Sequence, residues 1–353
     1  MTTYEQHTHS CQWSSNGSTW HDFSADVMGL TTTHAIDADR GTVEIQCAAY
    51  PSGAAANDYL IVYIDGTLVF NGHIARPARG YYTETDTTIY GEDLGANLAY
   101  PWGGEGTDPE LDADFNRVYT SQTDGAIITN FCEAMGVPVS LHDIEDSGWT
   151  LGTIYDVVLR VGQAPWSLIR EIDSLAFYWT ACSNNGAVTR RPLSIGSTDF
   201  TATEGSNILA ASRTPQGPES IVNRWIVTGY DTELGKIGGL GVGDYSEANS
   251  NIPTPPTSRT RQVQSNLIED DAKALAVATD GVQHTNFPYD EASITIPGDP
   301  DRTIGETWQI DAATLDYAGD SSSLRFVHTI SHRLGVGVGY ETVAKVIRPT
   351  ETW

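Results

Sequence analysis

The stretch DYLIVYIDGTLVFNGHI, Asp58–Ile74, decides the fold at the level of the sequence. Two runs of apolar and β-branched residues flank an Asp-Gly pair, which favours the positive φ values of a tight hairpin. The segments GTVEIQCAAY (Gly41–Tyr50) and TDTTIYGEDLGANL (Thr85–Leu98) each predict one further strand. Residues 1–117 are therefore predicted to form a first antiparallel β-domain, a small barrel or a sandwich.

The pattern changes beyond the turn-rich, acidic segment at Pro101–Phe115, which we interpret as a linker or exposed loop. In TDGAIITNFCEAMGVP (Thr123–Pro138) the apolar residues recur at helical spacing, with Asp124 as the cap candidate. APWSLIREIDSLAFYWTACSNNGAVTRRPL (Ala164–Leu193) predicts a helix followed by a hairpin that turns at Asn-Asn-Gly. Residues 118–195 are therefore predicted to form an inserted α/β domain.

The last part of the chain returns to β-structure, beginning with NRWIVTGYD at Asn223–Asp231. We assign residues 196–232 and 285–353 to a second β-barrel domain. Residues 233–284 are an inserted segment with a Gly- and Pro-rich loop and a helix over Ser265–Val282, capped by its first residue. The predicted fold class is mainly β with α+β insertions: two antiparallel β-domains and smaller inserted domains.

A short internal echo bears on the relation between the two barrels. TTIYGED (Thr87–Asp93) and WIVTGYD (Trp225–Asp231) both end an apolar strand with Gly-x-Asp. The echo has two interpretations, chance turn chemistry or a true repeat of one β-module on either side of the α/β domain.

The charge of the chain is strongly negative, with 46 Asp and Glu against 19 Lys and Arg and a net charge of −27. One interpretation is an ordinary acidic surface. The other is adaptation to very high salt, where a Debye length of about 3 Å at 1 M screens the self-repulsion of so many carboxylates. Both interpretations disfavour tight phosphate or nucleic-acid binding, which needs clustered basic residues.

The four cysteines, at 11, 47, 132 and 182, are far apart and form no CxxC pair. The strand pattern around Cys47 and the helix pattern around Cys132 predict buried free thiols rather than a disulfide framework. No apolar run of about 18 residues occurs, so no membrane insertion is predicted. The N-terminus carries no recognisable signal peptide, which argues against export by that route.

Two histidine groups are candidate metal ligands. His7, His9 and Cys11 would share one face of an extended segment, but zinc needs a fourth ligand and none is nearby, so a polar N-terminal arm is favoured. His328 and His332 would share one face of an unbroken strand, where a pair of partly buried, hydrogen-bonded histidines is favoured over a metal site. We predict no metal-binding residue.

Catalytic motifs are absent from the sequence: no GxSxG, HExxH or GxxxxGKS pattern occurs, and GGLGVGD opens no helix. The cluster IEDD at Ile268–Asp271 is interpreted as a solvated helix N-terminus. Crowded aromatic residues remain as a candidate ligand platform: Trp166, Phe177, Tyr178 and Trp179. We predict instead that most of them are buried in the chain or at a subunit contact, and that an open pocket shared with Arg190 and Arg191 would contradict this. No catalytic residue, cofactor-binding residue or cofactor is predicted.

The order of these segments resembles the tail-hub, or baseplate-hub, family of tailed phages and viruses, which includes late-control D-type proteins and the hub domain of type VI secretion spikes. The resemblance spans about Thr42 to Val346 and rests on four segments. They are YLIVYIDGTLVFNGHIARPARG with the Gly-x-Asp that follows, DGAIITNFCEAMGV, APWSLIREIDSLAFYWTACSNNGAVT, and a C-terminal run from IPGDPDRTIGETWQI through RFVHTISHRL to YETVAKV. The lysine-poor, acidic composition further resembles haloarchaeal proteins, which suggests a haloarchaeal tailed virus.

The resemblance implies that the two β-domains, residues 1–117 and residues 196–232 with 285–353, are related antiparallel β-barrels similar to tail-tube barrels. It also implies a structural virion protein and no enzyme. Three copies would form a homotrimeric ring that adapts a six-fold tail tube to a three-fold tip and lines the DNA ejection channel. The implied partners are tail-tube or distal-ring proteins, tip, spike or fibre proteins, and a tape-measure protein, while DNA passes without specific binding. The implied location is the tail tip or baseplate of the virion, assembled in the host cytoplasm.

Two other functions remain open at this stage. The chain could be a hexameric distal tail ring or a receptor-binding tip protein. A function of another class is a secreted β-rich carbohydrate-binding or carbohydrate-active protein, in which the 16 Tyr and 9 Trp residues would form sugar platforms.

Overall fold

The computed structural model describes most of the chain in defined ranges. These are residues 7–79, 87–104, 111–112, 114–215, 222–229, 238–241, 260–285, 290–312, 315, 324–335 and 339–347. Within them, no helix has both the length and the apolar character that a membrane span requires.

The first hundred residues form seven strands and a short helix. The hairpin predicted from Asp58–Ile74 is present, and its second strand continues to Arg79. The bounds are β1 (His9–Ser14), β2 (His21–Asp22), β3 (Val27–Ala35), β4 (Thr42–Cys47), β5 (Tyr59–Ile64), β6 (Thr67–Arg79), β7 (Thr87–Asp93) and α1 (Ala96–Ala99).

The middle of the chain is an α/β segment with short strands and two helices. Its bounds are β8 (Arg117–Tyr119), β9 (Gln122–Thr123), α2 (Asp124–Ala134), β10 (His142–Ile144), β11 (Thr150–Leu151), β12 (Val157–Leu159), α3 (Pro165–Ala176), β13 (Tyr178–Cys182) and β14 (Val188–Pro192). The residue that caps α2 is Thr123 and not the expected Asp124. The Thr123 hydroxyl accepts from Ala126 N, while the Asp124 carboxylate forms a buried ion pair with Arg190.

The remaining strands complete the fold. They are β15 (Phe200–Thr203), β16 (Ala210–Pro215), β17 (Arg224–Thr228), β18 (Gly238–Gly241), β19 (Thr260–Gln264), α4 (Asp271–Thr285), β20 (Asp290–Pro297), β21 (Thr307–Asp311), β22 (Leu324–Gly335) and β23 (Gly339–Ile347).

One sheet of 13 strands dominates the molecule, with the order β16-β20-β23-β22-β3-β4-β7-β6-β5-β1-β2, and with β15 and β21 attached through β22. The prediction of a mainly β fold with α+β insertions is confirmed. The two β-modules are joined edge to edge, because β3 pairs with β22 antiparallel from Gly29 opposite Gly335 to Ala35 opposite Thr329.

Three hydrophobic cores lie along the chain. The first contains the inward residues of β1 and β3–β7, such as Leu60 and Ile89. The second contains those of β15 and β20–β23, such as Ile294 and Trp308. Each β-half therefore curls around its own core. The third core joins the helices α2 and α3 of the insertion to α4.

The segment around β17 departs from the predicted division. Residues 224–228, which we assigned to the second barrel, pair with β18 and β19 in a separate three-stranded sheet. Trp225 and Val227 are buried with α4 in the core of the insertion. The Gly-x-Asp echo therefore does not relate equivalent strands of the two halves, and Asp231 lies outside the described residues.

The helix predicted over Ser265–Val282 begins later than expected, at Asp271. Ser265 instead accepts from Leu267 N in a turn and donates to the Glu171 carboxylate, while Asp270 accepts from Lys273 N at the helix start. Most of the predicted Gly- and Pro-rich loop lies outside the described residues, although Gly238–Gly241 forms β18.

Candidate functional site

The best-organised feature is the helix-hairpin unit, α3 with β13 and β14, because it contacts both β-halves. Trp166 donates from Nε1 to the Gly95 carbonyl at 2.9 Å, immediately after the first half. Arg170 donates to the carbonyls of Ile36 at 2.5 Å and Ala38 at 2.6 Å. At the opposite end, Asn184 donates from Nδ2 to the Arg302 carbonyl at 2.8 Å, in the second half.

Local sequence explains how this unit is shaped. Pro165 occupies the first turn of α3, where a missing N–H costs nothing, and Phe177 ends the helix in the left-handed region with φ 54°. The hairpin turns through Gly186, with φ 83°, and packs against Asn71 of β6. Asn71 Nδ2 donates to the Asn185 carbonyl at 3.0 Å, which fixes the hairpin tip to the first half.

The hairpin also contributes to the core of the second half. Trp179 is buried there and meets Phe326 edge-on at 6.1 Å between ring centroids. Gly305 lies so close that a Cβ atom on it would come within 2.4 Å of the Trp179 ring. The helix-hairpin unit is therefore a wedge between the β-halves rather than an independent appendage.

A buried ion cluster holds the insertion together. Arg190, fully buried, donates from Nε to Asp173 at 2.8 Å and from Nη2 to Asp124 at 2.7 Å. Its Nη1 donates to the Glu145 carbonyl at 2.7 Å. Burial raises the pKa of both carboxyl groups, and the Arg190 charge offsets only part of that effect.

The aromatic candidates lie in structural contacts. Trp166 and Trp179 are buried, and Phe177 stacks on His284 at 4.2 Å between centroids. Tyr178 is half-buried beneath the Arg190 guanidinium. Because Arg190 is enclosed in the ion cluster and Arg191 pairs with Asp143 at the surface, the two arginines form no pocket with these rings.

A second polar cluster lies where the halves join. His332 is fully buried, and its Nε2 donates to the Arg302 carbonyl at 3.1 Å. The Asn184 amide nitrogen lies 3.3 Å from the same Nε2, and the Tyr340 hydroxyl lies 2.9 Å from Nδ1. Burial lowers the pKa of His332 to about 3, so the ring is neutral at ordinary pH.

On the neighbouring strand β3, His34 is equally buried. Its Nδ1 lies 3.7 Å from the Asp93 carboxylate, and its Nε2 faces the Val69 carbonyl at 3.3 Å. Asp93 accepts from the backbone N–H of Gly41, where a Cβ atom would collide with both side chains. The seam between the halves is thus lined by polar groups on its inner side.

The candidate metal ligands do not converge. His7 pairs with Asp65 at 2.6 Å, His9 approaches the Ser24 carbonyl at 3.1 Å, and Cys11 is buried in the first core. His328 lies at a bulge in β22 and contacts the Thr329 hydroxyl at 3.1 Å, apart from the contacts of His332. Within the described ranges, no group of three potential ligands could hold a metal ion.

The outer face of the sheet carries small hydroxyl side chains across the seam. In register, Thr295 lies opposite Val343, Val343 opposite Ser331, and Ser331 opposite Thr33. Thr33 continues the row to Thr42 of β4. The hydroxyls of Thr33 and Ser331 meet at 3.0 Å, one from each half.

We call this surface the hydroxyl face. It comprises the outward residues Ser293, Thr295, Thr31, Thr33, Thr42 and Thr88, together with Ser331, which lies in register with them but is itself buried. The charged side chains that the structure describes on this face are Glu44, Glu92, Glu291 and Glu341 against Arg333 and Lys345. Among these described residues acids outnumber bases, and the two bases form no cluster.

Sequence reasoning missed the residues that join parts of the fold. Glu269, interpreted as solvated, is buried and accepts from Thr153 N at 2.8 Å and from Lys273 at 3.0 Å. Burial alone would raise its pKa, but these hydrogen bonds and the ammonium lower it. The sequence did not predict the contacts of Arg170 and His34 either, because their partners are backbone atoms or residues far away in the sequence.

This architecture, two curled β-halves in one sheet with an α/β wedge between them, is the fold of phage tail proteins. No protein-family model matches the chain, and no curated protein matches its sequence.

Three solved structures illustrate the similarity. The 43 kDa tail protein of prophage MuSo2 from Shewanella oneidensis has a TM-score of 0.68 at 15% identity, over 97% of this chain and 98% of that one. A tail protein from Neisseria meningitidis MC58 has a TM-score of 0.69 at 12% identity, over 97% and 96%. A component of the E. coli type VI secretion system has a TM-score of 0.52 at 8% identity, over 92% and 74%.

Proposed function

We propose that the chain is a structural protein of a virus tail, a hub at the tail tip or baseplate that forms a homotrimeric ring and lines the channel for DNA ejection. It acts as an adaptor between the six-fold tail tube and a three-fold tip, without enzymatic activity. Its partners are tube or distal-ring proteins, the tip, spike or fibre, and the end of a tape-measure protein.

The observation that carries this proposal is the joined sheet. β22 and β3 connect two curled β-halves of similar size into one surface, so each copy supplies two positions of a ring. Three copies then present six positions to a six-fold tube and a three-fold arrangement to the tip. The tail proteins that share this fold over nearly the whole chain support a place in the tail.

The hydroxyl face suits a channel wall. Small Ser and Thr side chains make up much of this face, and the acidic excess repels phosphate. DNA carries about one negative charge per 1.7 Å of duplex, and tight binding requires neutralisation by clustered Lys and Arg. A face without such a cluster lets DNA pass without holding it.

The charge of −27 further supports a halophilic virus, as proposed from the composition. In molar salt the repulsion between the copies of an acidic ring is screened within a few ångströms, so assembly is compatible with this charge.

The test is the mass and symmetry of the purified chain in molar KCl, by light scattering and electron microscopy. A closed three-fold ring is expected. A six-fold ring would contradict the hub function and favour a distal tail ring. A monomer that hydrolyses or binds glycans would contradict both tail functions and favour a carbohydrate-active or carbohydrate-binding protein.

A further inference from the structure

A groove lies between the first β-half and the insertion. One wall is formed by β5, β6 and β7, and the other by α1 and the residues that follow α2. Its volume is about 470 Å³, which falls within the range of about 300–1,000 Å³ that is usual for sites enclosing a small ligand. The side chains of the two walls decide what kind of ligand the groove can take.

The sheet wall carries a row of aromatic and polar side chains on three paired strands. In register, Tyr59 of β5 lies opposite His73 of β6, and His73 lies opposite Glu92 of β7. At about 4.8 Å per strand, this row is roughly 10 Å long. β6 has a bulge at Ala75, which also lines the groove. Bulges are common beside sites, because they change the direction of the side chains around them.

Two exposed tyrosines stand at the ends of this row. Tyr59 is 39% exposed, and its ring lies 4.8 Å from the His73 ring between centroids. Tyr100 is 53% exposed, and its hydroxyl donates to the Glu92 carboxylate at 3.4 Å. Flat aromatic rings offer a large and rigid contact area, on which the C–H face of a pyranose can pack. The tyrosines therefore supply the stacking surfaces that a sugar requires.

Polar side chains in the groove have hydrogen-bonding capacity that the chain does not use. Within the described ranges, the His73 imidazole and the Asn57 and Asn97 amides form no side-chain hydrogen bond. Burial lowers the pKa of His73, so at pH 7 the ring is neutral and offers one donor and one acceptor. A sugar hydroxyl both donates and accepts, so amides and a neutral imidazole are suitable partners for it.

The opposite wall is apolar. Met135 and Leu141 pack against the core of the insertion, and Pro138 between them is exposed. A groove with one apolar and one polar wall suits a ligand that is apolar on its ring faces and polar at its rim. A pyranose has this distribution of groups, whereas a wholly apolar ligand would leave the amides of the sheet wall unpaired.

The charge of the groove favours a neutral ligand. Its acidic lining residues are Glu92, which pairs with Arg40 at 2.8 Å, and the buried Asp93. None of the described lining residues is a lysine or an arginine. A carboxylate or phosphate on the ligand would meet these acids without a basic partner, in a chain that already carries a charge of −27.

We propose that this groove binds a neutral sugar, the terminal unit of a glycan. The sugar stacks on Tyr59 and Tyr100, and its hydroxyls bond to His73, Asn57 and Asn97. This activity goes beyond the proposed hub function, because a ring and a channel require no small-molecule site. On a protein at the tail tip, the groove would hold the particle to a surface that carries glycans.

The first experiment measures sugar binding to the full chain in molar KCl by saturation-transfer NMR and isothermal titration. The probes are glucose, galactose, mannose and N-acetylglucosamine, with glucuronic acid as the anionic comparison. At least one neutral probe should bind with a dissociation constant on the order of 1 mM, and glucuronic acid should not displace it. If none of the four neutral sugars binds, the groove is not a sugar site. Displacement by glucuronic acid would overturn the selection of neutral ligands.

The second experiment locates the bound sugar with two matched variants. Tyr59→Ala should weaken binding by about tenfold or more, because a stacking surface is lost. Tyr63→Ala is the control, since Tyr63 lies on the same face of β5 but outside the groove, and it should bind as the wild type does. Circular dichroism shows whether both variants keep the fold. A folded Tyr59→Ala protein with wild-type affinity would overturn the assignment of the groove.

The oligomeric state separates this proposal from the proposed function. A trimer that binds none of the probes overturns the sugar site and keeps the hub. A monomer that binds sugar, and loses it on Tyr59→Ala, supports the sugar site and contradicts the hub.

Discussion

Arg190 and Asp173 form an ion pair of 2.8 Å in which the side chains are only 0% and 5% exposed. The pair lies where α3 meets β14, and Asp124 at the start of α2 adds a second carboxylate to the same guanidinium. One arginine therefore ties both long helices of the insertion to its hairpin. Since the strands of this insertion are short, this cluster contributes much of what holds the wedge in one shape.

Replacement of Arg190 should destabilise the protein severely. Arg190→Met leaves two buried carboxylates without a cation, which costs about 3–5 kcal/mol in the free energy of unfolding. The deficit should shrink as the pH falls, because the carboxyl groups, whose pKa values burial already raises, then become neutral. Urea unfolding at several pH values measures both effects.

Arg191→Met is the matched control, one residue away. Arg191 pairs with Asp143 at 2.6 Å, but the two side chains are 37% and 54% exposed. A solvated pair contributes less than about 1 kcal/mol. If both variants lose the same free energy of unfolding, the buried cluster does not stabilise the protein more than an exposed ion pair does.

The contact between Gly305 and Trp179 should be sensitive to a single methyl group. Gly305→Ala places a Cβ atom against the indole at a residue with φ 81°, so strain and overpacking combine to a loss of about 2–4 kcal/mol. Gly205 has φ 76° and no neighbour within 4 Å of a Cβ atom placed on it. Gly205→Ala therefore measures the backbone strain alone, a loss of about 1 kcal/mol in the free energy of unfolding. The difference between their urea midpoints measures how tightly the hairpin packs on the second half.

The neutral His332 should make the protein sensitive to acid. Burial lowers its pKa from 6.5 to about 3, so between these values the unfolded chain binds a proton that the native state does not. Stability from this group is complete above about pH 6.5 and falls with decreasing pH, by up to about 1.4 kcal/mol per pH unit. His332→Gln should reduce the slope of unfolding free energy against pH over this window.

The control for this prediction is His21→Gln, which removes an exposed histidine that stacks on Trp13. It should retain the wild-type slope. If both variants show the same slope as the wild type, the acid response has a source other than the seam between the halves.

The four thiols should be inert in the native protein. All four cysteines are free and buried, and burial raises the pKa of Cys47 and of Cys132 to about 12. A thiol reagent such as Ellman's should therefore react only as fast as the chain unfolds. Ser212→Cys adds an exposed thiol and should react at once with one equivalent, which shows that the reagent itself is not limiting.

The strands and helices that sequence predicts well here are those with strong local signals. The Asp65-Gly66 turn, Pro165 at the start of α3 and Gly186 in the hairpin each dictate a backbone conformation within a few residues. The mainly β class and the order of the elements follow from such signals.

What sequence could not predict depends on contacts across long separations. β17 has the pattern of any half-buried strand. Its pairing with β18 and β19 and the packing of Trp225 against Gly281 of α4 assign it to the insertion. Likewise, the sequence around Ser265 resembles a helix cap, but the Ser265 hydroxyl donates a hydrogen bond to Glu171, which is far away in the sequence. The seam between β3 and β22 joins residues about 300 positions apart, as for Thr33 and Ser331, whose numbers differ by 298.

Salt should stabilise the protein through screening of its own charge. At −27, raising KCl from 0.1 to 1 M shortens the Debye length from about 10 to about 3 Å, so the thermal midpoint should rise over this range. The variant Glu44→Gln, Asp114→Asn, Glu133→Gln removes three exposed carboxylates and should show a smaller rise, because less repulsion remains to be screened. Sucrose should raise the midpoint of both proteins equally, since it acts by exclusion and not by screening. A midpoint that is independent of KCl would contradict the proposed adaptation to high salt while leaving the fold and the ring unaffected.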